Sequence, residues 1–368
     1  MVFTTDLSIE KILNKALASQ RISPEEALIL FKEANLQDLG QVAHQIRLKK
    51  HNPKQVSFII DRNINYTNAC TASCRFCAFA HWPGDKRIYV LNYEVIKEKI
   101  QELIDQGGTQ VLLQGGHNPE LKIEYYEELF TYIKAEFPQV ILHALSPSEI
   151  EHIMQISQIS LDETLDRLIK AGWQSLPGGG AEILVERVRN ILSPLKTSSE
   201  NWLNIMKAAH KKGIKGSATM MFGHVETFAE RIEHLNRLRD LQDETNGFRA
   251  FISWSFQAGD TPLSKDINLQ TGEGTGDGLD YLRTQAISRI FLDNFENIQA
   301  SWVTQGFGIG QLALFYGAND FGGTMLEENV VSAAGTINSK SNAEELTYQI
   351  NKAGFQAVER DTFYNFKV

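Results

Sequence analysis

The chain has 368 residues, of which 42% are hydrophobic and 22% are charged, so it is expected to bury a sizeable core. Its 36 Lys and Arg residues against 45 Asp and Glu residues give a net charge of −9. No nucleic acid is expected as a partner, because binding a phosphate backbone needs clustered positive charge. The two short basic clusters, residues 47–54 and 211–215, are interpreted as solvated surface.

The first fifty residues predict helices rather than a targeting segment. The N-terminus lacks a positively charged leader followed by an apolar stretch, and no segment approaches the roughly 20 apolar residues of a membrane span. We therefore expect no membrane span and a cytoplasmic location. Ser23, Pro24 and Glu26 have the spacing of a capping box with proline at the first helical position. Residues 1–52 are accordingly interpreted as an N-terminal helical extension.

Eight short apolar runs alternate with segments of helical periodicity between residues 53 and 335. Parallel strands joined by right-handed helical crossovers predict an α/β fold, a (β/α)8 barrel of TIM type or a partly open version of it. Residues 336–368 contain one more helical segment and are expected to form a C-terminal extension packed on the outside of the barrel. The predicted strands are residues 56–60, 110–114, 140–145, 175–177, 217–222, 250–254, 298–302 and 312–316.

All three cysteines of the chain follow the first predicted strand, spaced C-x₃-C-x₂-C at Cys70, Cys74 and Cys77. Three thiolates are one ligand short of a closed four-coordinate site. The spacing leaves two interpretations open. A structural zinc with His81 as fourth ligand indicates a non-enzymatic module, and a [4Fe–4S] cluster with one open iron indicates an enzyme. The aromatic residue inside the motif, Phe76, favours the cluster because it suits a dry pocket.

The motif Cys70-x₃-Cys74-x-Phe76-Cys77 resembles the signature of the radical S-adenosylmethionine (radical SAM) superfamily. In that superfamily SAM binds the open iron, and one electron from the cluster cleaves SAM to methionine and a 5′-deoxyadenosyl radical that removes a substrate hydrogen. The resemblance implies two cofactors, a [4Fe–4S] cluster held by the three cysteines and SAM, inside a radical SAM barrel that excludes water. It also implies an electron donor such as a flavodoxin or ferredoxin.

Further blocks between about residues 55 and 335 resemble the futalosine-pathway branch of menaquinone biosynthesis, and the cyclases of this branch most of all. The resemblance implies dehypoxanthinyl futalosine as substrate, removal of the C4′ hydrogen of its ribose, addition of the sugar radical to the benzoate ring, and loss of one electron and one proton. Aminofutalosine synthases, which retain adenosine in their product, and the radical SAM subunits of the deazaflavin chromophore synthase remain as alternatives. The blocks are "GGTQVLLQGGHNPEL", "LHALSPSEI", "SLPGGGAEIL", "TMMFGHVET", "ASWVTQG" and "GANDFGGTMLEENVV".

The same resemblance implies which residues bind SAM. The backbone of Gly115 and Gly116 holds the amino group, Glu182 accepts hydrogen bonds from the ribose hydroxyls, and Lys196 pairs with the carboxylate. Gly223, in the stretch "GHVE", supports the adenine side. Taken singly, the glycine pair also suits a tight turn, and Glu182 also suits a carboxylate that compensates a helix dipole. The glycine-dense stretch of residues 271–278 is interpreted as a flexible loop rather than a nucleotide cradle.

Two further residues are predicted to act on the substrate. His117 stands where many family members carry glutamate, and we expect it to be the base that takes the proton after radical addition, because histidine titrates near neutral pH. Asp320, beside Asn319 and two glycines, is the candidate for polar contacts with the sugar. Hydrogen bonding to other site residues, surface charge or core packing remain the alternatives for the other candidates near strand ends, which are His143, Trp254, Trp302, Glu327 and Glu328.

Overall fold

The computed structural model describes residues 9–266, 272–336 and 340–367. Three helices precede the first strand, α1 (Ile9–Leu17), α2 (Pro24–Glu33) and α3 (Leu36–Lys50). The capping box is confirmed, because Ser23 Oγ accepts a hydrogen bond from Glu26 N at 3.2 Å and Glu26 Oε2 accepts one from Ser23 N at 2.7 Å. The extension packs α2 and α3 against the outer helices of the domain that follows.

That domain is built of parallel strands and covering helices. Its elements are β1 (Gln55–Ile59), β2 (Asp61–Ile64), α4 (Tyr93–Asp105), β3 (Gln110–Leu113), α5 (Ile123–Glu136), β4 (Ile141–Ala144), α6 (Pro147–Ser157), α7 (Leu161–Ala171), α8 (Glu186–Leu192), α9 (Ser199–Lys211), β5 (Gly216–Phe222), α10 (Phe228–Thr245), β6 (Phe248–Ser255), α11 (Gly278–Phe291), β7 (Asn297–Gln299), α12 (Trp302–Ala313), β8 (Asp320–Gly323), the 3₁₀ helix Ser332–Ala334, α13 (Ala343–Lys352) and β9 (Gln356–Glu359).

The strands form a TIM-type barrel. One sheet has the order β5-β6-β7-β8-β1-β9 and the other the order β2-β3-β4, with every pairing parallel. Only Ile60 separates β1 from β2, so the two sheets continue into each other there. The fourth predicted strand is reduced to single parallel bridges, from Ser175 to His143 and from Leu176 to Gly216, which join β4 to β5. The predicted barrel is therefore confirmed, with its fourth strand the weakest.

The eighth strand was predicted in the wrong place. Residues 312–316 form the end of α12 and a following turn, while the strand that pairs with β1 and β7 is β8. Leu312 and Phe315 are 46% and 42% exposed, so the apolar run lies on the outer layer and not in the barrel wall. β8 has the sequence DFGG, whose glycines and aspartate have low strand propensity, and it is held by its two neighbours.

The C-terminal segment differs from the expectation that it packs on the outside of the barrel. Helix α13 does pack outside, against α12 and β1. Strand β9, however, pairs with β1 from Gln55↔Gln356 to Phe58↔Glu359, and the residues after it turn under the barrel. The cause is a free edge of β1, because on that side β3 pairs with β2 and not with β1. None of the helices in the described part of the chain is long and apolar enough to cross a membrane.

Candidate active site

A cavity of about 420 Å³ runs through the barrel from the loop after β2 to the C-terminal segment. The three cysteines lie at its upper end, and Arg249, Arg360 and Tyr364 lie at its lower end. Burial raises the pKa of Cys74 to about 12 and raises the pKa of Cys77 as well. Deprotonated thiolates at this position are therefore favoured only when a cation or a metal centre compensates their charge.

Gly115 and Gly116, which follow β3, let the loop that carries Cys70, Cys74 and Cys77 (the cysteine loop) pack closely against this strand end. A Cβ at Gly116 would lie 2.2 Å from Ala69 O and 2.8 Å from Cys70 Cβ, so any larger residue would displace this loop. A Cβ at Gly115 would lie 2.6 Å from the ring of Tyr66. Both glycines line the cavity, and their role in holding the SAM amino group stays a prediction.

Glu182 and Lys196 form a buried pair in the cavity wall. Lys196 Nζ donates to Glu182 Oε1 at 2.8 Å, and the side chains are 13% and 5% exposed. Burial alone would lower the pKa of Lys196, but the charges of Glu182 and Cys74 raise it above its ordinary value. Glu182 Oε2 is buried without a hydrogen-bond partner, and its backbone is in the left-handed region at φ 43°. An unpartnered carboxylate oxygen facing a cavity is a site for a hydroxyl donor.

Phe76 also lines the cavity, with Lys196 Nζ 5.6 Å from the centre of its ring. Within residues 9–266, 272–336 and 340–367, no three His, Cys, Asp or Glu side chains meet closely enough to hold a single metal ion. A [4Fe–4S] cluster presents a different iron to each thiolate, so it does not require three sulfurs to meet at one point. The donor set, the glycine pair and the unpartnered oxygen of Glu182 together fit a cluster with bound SAM.

Glu149 is a cavity residue that the sequence analysis missed. Its Oε1 accepts hydrogen bonds from Gly115 N and from the Tyr66 hydroxyl, each at 2.9 Å. Burial raises the pKa of Glu149 to about 7, against hydrogen bonds that lower it. The sequence does not reveal this role, because Glu149 lies three residues after Ser146, the N-cap of α6. A glutamate at that position is typical of a capping box.

His117 lines the cavity, but its environment differs from the one expected for a base that titrates near neutral pH. Burial, with Lys196 and His152 nearby, lowers the pKa of His117 well below its ordinary value. Its ring stacks on His152 with centres 4.9 Å apart, and its Nε2 lies 3.1 Å from Ser148 Oγ. His117 is therefore neutral at neutral pH, and the stated reason for its choice as base was wrong.

Asp320 does not line the cavity. Both of its oxygens bind Arg360, with Nε to Oδ2 at 2.5 Å and Nη2 to Oδ1 at 3.0 Å, and they also accept from Ser57 Oγ and Gly322 N. Its carboxylate is fully buried. The predicted contact with a sugar is not supported, because the oxygens already hold the segment that follows β9.

Gly223 also lies outside the cavity wall. A Cβ at this position would be 2.6 Å from Gly276 Cα, so Gly223 lets the stretch "GHVE" pack on the glycine-dense loop. The first residue of that loop, 271, lies outside the described residues, and the remainder packs beside Arg231 and Asp280, which form an ion pair. The role predicted for Gly223 in SAM binding stays a prediction.

The other candidates divide between the cavity and the outer layers. His143, Trp254 and Trp302 line the cavity. Glu328 also lines it, but its carboxylate accepts hydrogen bonds from the backbone of residues 330–332. Glu327 pairs with Arg62 and Lys99 and does not line it.

Comparisons with known proteins assign both halves of the chain. Residues 64–238 match the radical SAM superfamily, and residues 245–368 match the CofH/MqnC C-terminal region. The chain is 49% identical over 97% of its length to a cyclic dehypoxanthine futalosine synthase of Halalkalibacterium halodurans, covering 95% of that protein. It is 45% identical over 99% of its length to one of Streptomyces coelicolor, covering 90%. An aminodeoxyfutalosine synthase of Thermus thermophilus is 37% identical over 96% of this chain and 94% of its own length.

Solved structures give the same fold. The [FeFe]-hydrogenase maturase HydG superposes with a TM-score of 0.74 at 15% identity, over 97% of this chain and 76% of that one. Methylornithine synthase superposes with a TM-score of 0.69 at 19% identity, over 94% of this chain and 97% of that one. At these identities the likeness concerns the arrangement of strands and helices alone.

Proposed function

Since the chain belongs to the radical SAM superfamily, we propose that it converts dehypoxanthinyl futalosine to cyclic dehypoxanthinyl futalosine in the futalosine pathway of menaquinone biosynthesis. The observation that carries this proposal is the 49% identity over 97% of the chain to a cyclic dehypoxanthine futalosine synthase. The buried cavity supports it, because its volume lies in the range of sites that enclose a small organic ligand. The aminodeoxyfutalosine synthase reaction is one alternative beside the deazaflavin chromophore synthase, and the relative of that name is less similar.

The upper end of the cavity binds the two cofactors. When bound, the [4Fe–4S] cluster and SAM supply a 5′-deoxyadenosyl radical that removes one hydrogen atom from the substrate. Cys70, Cys74 and Cys77 hold three irons of the cluster. The free Oε2 of Glu182 accepts a hydrogen bond from the SAM ribose, and Lys196 stands beside it for the carboxylate.

Glu149 can supply the acidic contact that is missing because position 117 is a histidine. Its carboxylate lies beside Gly115, in the wall that also presents Gly116. We assign to Glu149 the acidic contact with the SAM amino group that many family members take from the residue at position 117. Deprotonation of Glu149 near pH 7 suits this role, because an ammonium group next to it favours the charged carboxylate.

The middle of the cavity keeps the radical away from water and holds the two reacting parts of the substrate together. The apolar side chains that line it include Phe79, Ile252, Trp254 and Met325. Closing a ring within one bound molecule requires the sugar carbon and the aromatic ring to be held in reacting distance, and a tight cavity supplies that orientation.

The electron donor is expected to dock at the cysteine end. Trp82, Ile88 and Val90 follow the cysteine loop and are 57%, 38% and 44% exposed, and Lys86 adds a positive charge between them. Exposed apolar side chains with a lysine among them suit an acidic one-electron carrier such as a flavodoxin or ferredoxin. Free thiols and such a carrier both suit a reducing cytoplasm.

The test is anaerobic turnover of dehypoxanthinyl futalosine labelled with deuterium at C4′, with SAM and a strong reductant, followed by mass spectrometry. We expect a product lighter than the substrate by the two hydrogen isotopes removed, one of them the deuterium, and free 5′-deoxyadenosine that carries this deuterium. In a parallel incubation with an enolpyruvyl benzoate, a product that contains the adenosyl group would assign the chain to the aminodeoxyfutalosine synthases. Finding zinc and no cleavage of SAM would refute the radical mechanism.

The His117→Ala variant tests the predicted base in the same assay. If His117 takes the proton after ring closure, the variant still forms 5′-deoxyadenosine but gives much less cyclic product. If both products fall together, the His117 ring is needed for SAM cleavage and not specifically for proton transfer, since the variant keeps the backbone contact to Thr71. His152→Ala is the matched control, because it removes the stacked ring without altering the loop contact.

A further inference from the structure

We propose that Arg249, at the lower end of the cavity, binds the carboxylate of the substrate's benzoate ring and thereby fixes which end of the substrate faces the cofactors. This inference rests on the proposed function, because it concerns the orientation of that substrate. It names a subsite and a specificity-determining residue that neither the cysteine motif nor the SAM contacts supply.

A β-bulge turns Arg249 into the cavity. Gly216 of β5 pairs with Phe248 of β6, and Ser217 pairs with Ala250, so Arg249 is the extra residue between them. Side chains alternate along a strand, and Ala250, Ile252 and Trp254 already line the cavity. Without the bulge Arg249 would point to the outer face, whereas with it two consecutive residues line the cavity. Bulges near active sites commonly re-aim a side chain in this way.

The bulge is held by specific contacts. Asn297 Nδ2 donates to Arg249 O at 2.8 Å, which satisfies the carbonyl of the extra residue. On the other side of β5, a Cβ at Gly216 would lie 1.9 Å from Leu176 O, so a glycine is needed where β5 meets the segment of residues 175–177. These contacts fix the backbone, and the direction of the arginine side chain follows from it.

The guanidinium of Arg249 is held in place by neighbouring groups but has no anionic partner among the described residues. Its Nη1 donates to Lys215 O at 2.7 Å and to Ser175 Oγ at 3.3 Å, and the group lies 4.8 Å from the centre of the Phe363 ring. Among the described residues no carboxylate forms an ion pair with it. Asp361 acts on it from a distance, but its oxygens accept from the backbone and side chain of its own turn.

Arg360, the other arginine at the lower end of the cavity, differs from Arg249 because it has an anionic partner. It forms a two-bond ion pair with Asp320, so its charge is already balanced. A half-buried guanidinium with free N–H groups and no counter-ion favours a planar anion, and a carboxylate matches its geometry. The lower end of the cavity therefore has one arginine, Arg360, whose charge Asp320 balances, and another, Arg249, that is available to bind an anion.

Besides Arg360 and Phe363, the side chains next to Arg249 include Ser175 and His143, which carry no negative charge. His143 Nδ1 lies 2.8 Å from Ser175 Oγ, and burial together with the nearby arginines lowers the pKa of His143 to about 3. On the opposite wall, Asn63 Oδ1 is buried without a partner. Asp61, whose pKa burial raises to about 6, belongs to β2 and lies across the barrel from β6. Asp361, whose charge does act on Arg249, is held by hydrogen bonds within its own turn.

The position along the barrel agrees with the chemistry. Arg249 is near the start of β6 and Trp254 near its end, about 16 Å apart at roughly 3.3 Å per residue. The reacting sugar carbon must lie next to the cofactors at the upper end. The aromatic carboxylate is at the other end of the substrate from the sugar, so the same orientation places it near Arg249.

The test compares dehypoxanthinyl futalosine with its carboxamide, which has the same shape and no negative charge. In the wild type we expect kcat/KM to be about 10- to 100-fold higher for the acid, since a hydrogen-bonded charge pair contributes that range. In Arg249→Gln the value for the acid should fall by this factor while that for the amide changes little. An unchanged acid-to-amide ratio would overturn the inference.

Two variants make the result decisive. Arg167→Gln, on the outer helix α7, is the matched control and should leave both values unchanged. Iron content and thermal unfolding report whether Arg249→Gln folds. If it does not, Arg249→Lys decides, because it keeps the charge but loses the two-bond geometry: a reduced ratio supports the inference and the wild-type ratio refutes it. Wild-type protein that converts neither compound refutes the proposed function instead.

Discussion

Lys196 Nζ lies 2.8 Å from Glu182 Oε1, while the second oxygen of the same carboxylate is buried and has no partner. One oxygen thus holds the lysine, and the other is left for a ligand. We predict that Glu182→Gln weakens SAM binding by about 10- to 100-fold, because the amide loses the charge-assisted hydrogen bonds. Equilibrium binding of SAM to the iron-loaded protein measures this. Glu200→Gln, an exposed change on α9, serves as control, and equal affinities in both variants would argue against ribose binding by Glu182.

Replacing one cysteine should stop SAM cleavage without unfolding the barrel. Cys74→Ser removes a cluster ligand from a loop that lies above the strands, so we expect 5′-deoxyadenosine formation to fall to background and iron content to drop. Far-ultraviolet circular dichroism should keep the wild-type spectrum. The neighbouring Ser73→Ala change is the control, since that side chain is exposed. Release of 5′-deoxyadenosine by the Cys74 variant would contradict the assigned role of the motif.

The ion pair between Asp320 and Arg360 predicts a loss of stability rather than a loss of substrate affinity. Asp320→Asn leaves the buried guanidinium without its counter-charge, so we expect the free energy of unfolding to fall by about 3–5 kcal/mol. Urea unfolding measures this, with Asp240→Asn on the exposed face of α10 as control. If the variant keeps its stability and raises KM instead, Asp320 contacts the sugar after all.

His143 predicts a pH dependence of stability. Burial lowers its pKa to about 3, whereas the unfolded chain binds a proton on this ring below about pH 6.5. Its contribution to the free energy of unfolding is therefore fully present above pH 6.5 and is lost as the pH falls from there toward 3. Between pH 7.5 and 5 the free energy of unfolding of the wild type should fall by about 2 kcal/mol more than that of His143→Gln.

Urea unfolding of the cluster-free chain at several pH values checks this difference, since loss of iron would otherwise contribute. Parallel curves for the wild type and His143→Gln would show that the ring does not stay neutral in the folded state. His51→Gln offers a comparison at a group outside the cavity, whose pKa burial lowers to about 4.

The sequence predicted the barrel because most of its strands are apolar and β-branched. It misplaced the eighth strand for the same reason, since "LALFY" looks more like a strand than DFGG does. The pairing of β8 with β1 and β7 depends on residues far apart in sequence, such as Ser57 and Asp320. Local propensity carries no information about such partners.

The site residues that belong to a sequence motif could be predicted, whereas those that only the fold brings into the cavity could not. The cysteines, the glycine pair, Glu182 and Lys196 have a recognisable spacing or order. Arg249 enters the cavity only because a bulge shifts the register of β6, and Glu149 is indistinguishable in sequence from an ordinary capping residue. The neutral state of His117 likewise depends on burial, which the sequence does not display.

The pairing of β1 with β8 and β9 has a consequence for how the protein is made. β1 is the first strand to leave the ribosome, and both of its sheet partners are among the last elements to be synthesised. Until they emerge, its buried residues Val56 and Phe58 have no neighbours on either side. We therefore expect the nascent chain to depend on chaperones that shield apolar segments, and to close its barrel slowly because the contacts are so distant in sequence. Slow closure also leaves a period in which the cavity has no floor, so cluster assembly is expected to follow completion of the chain.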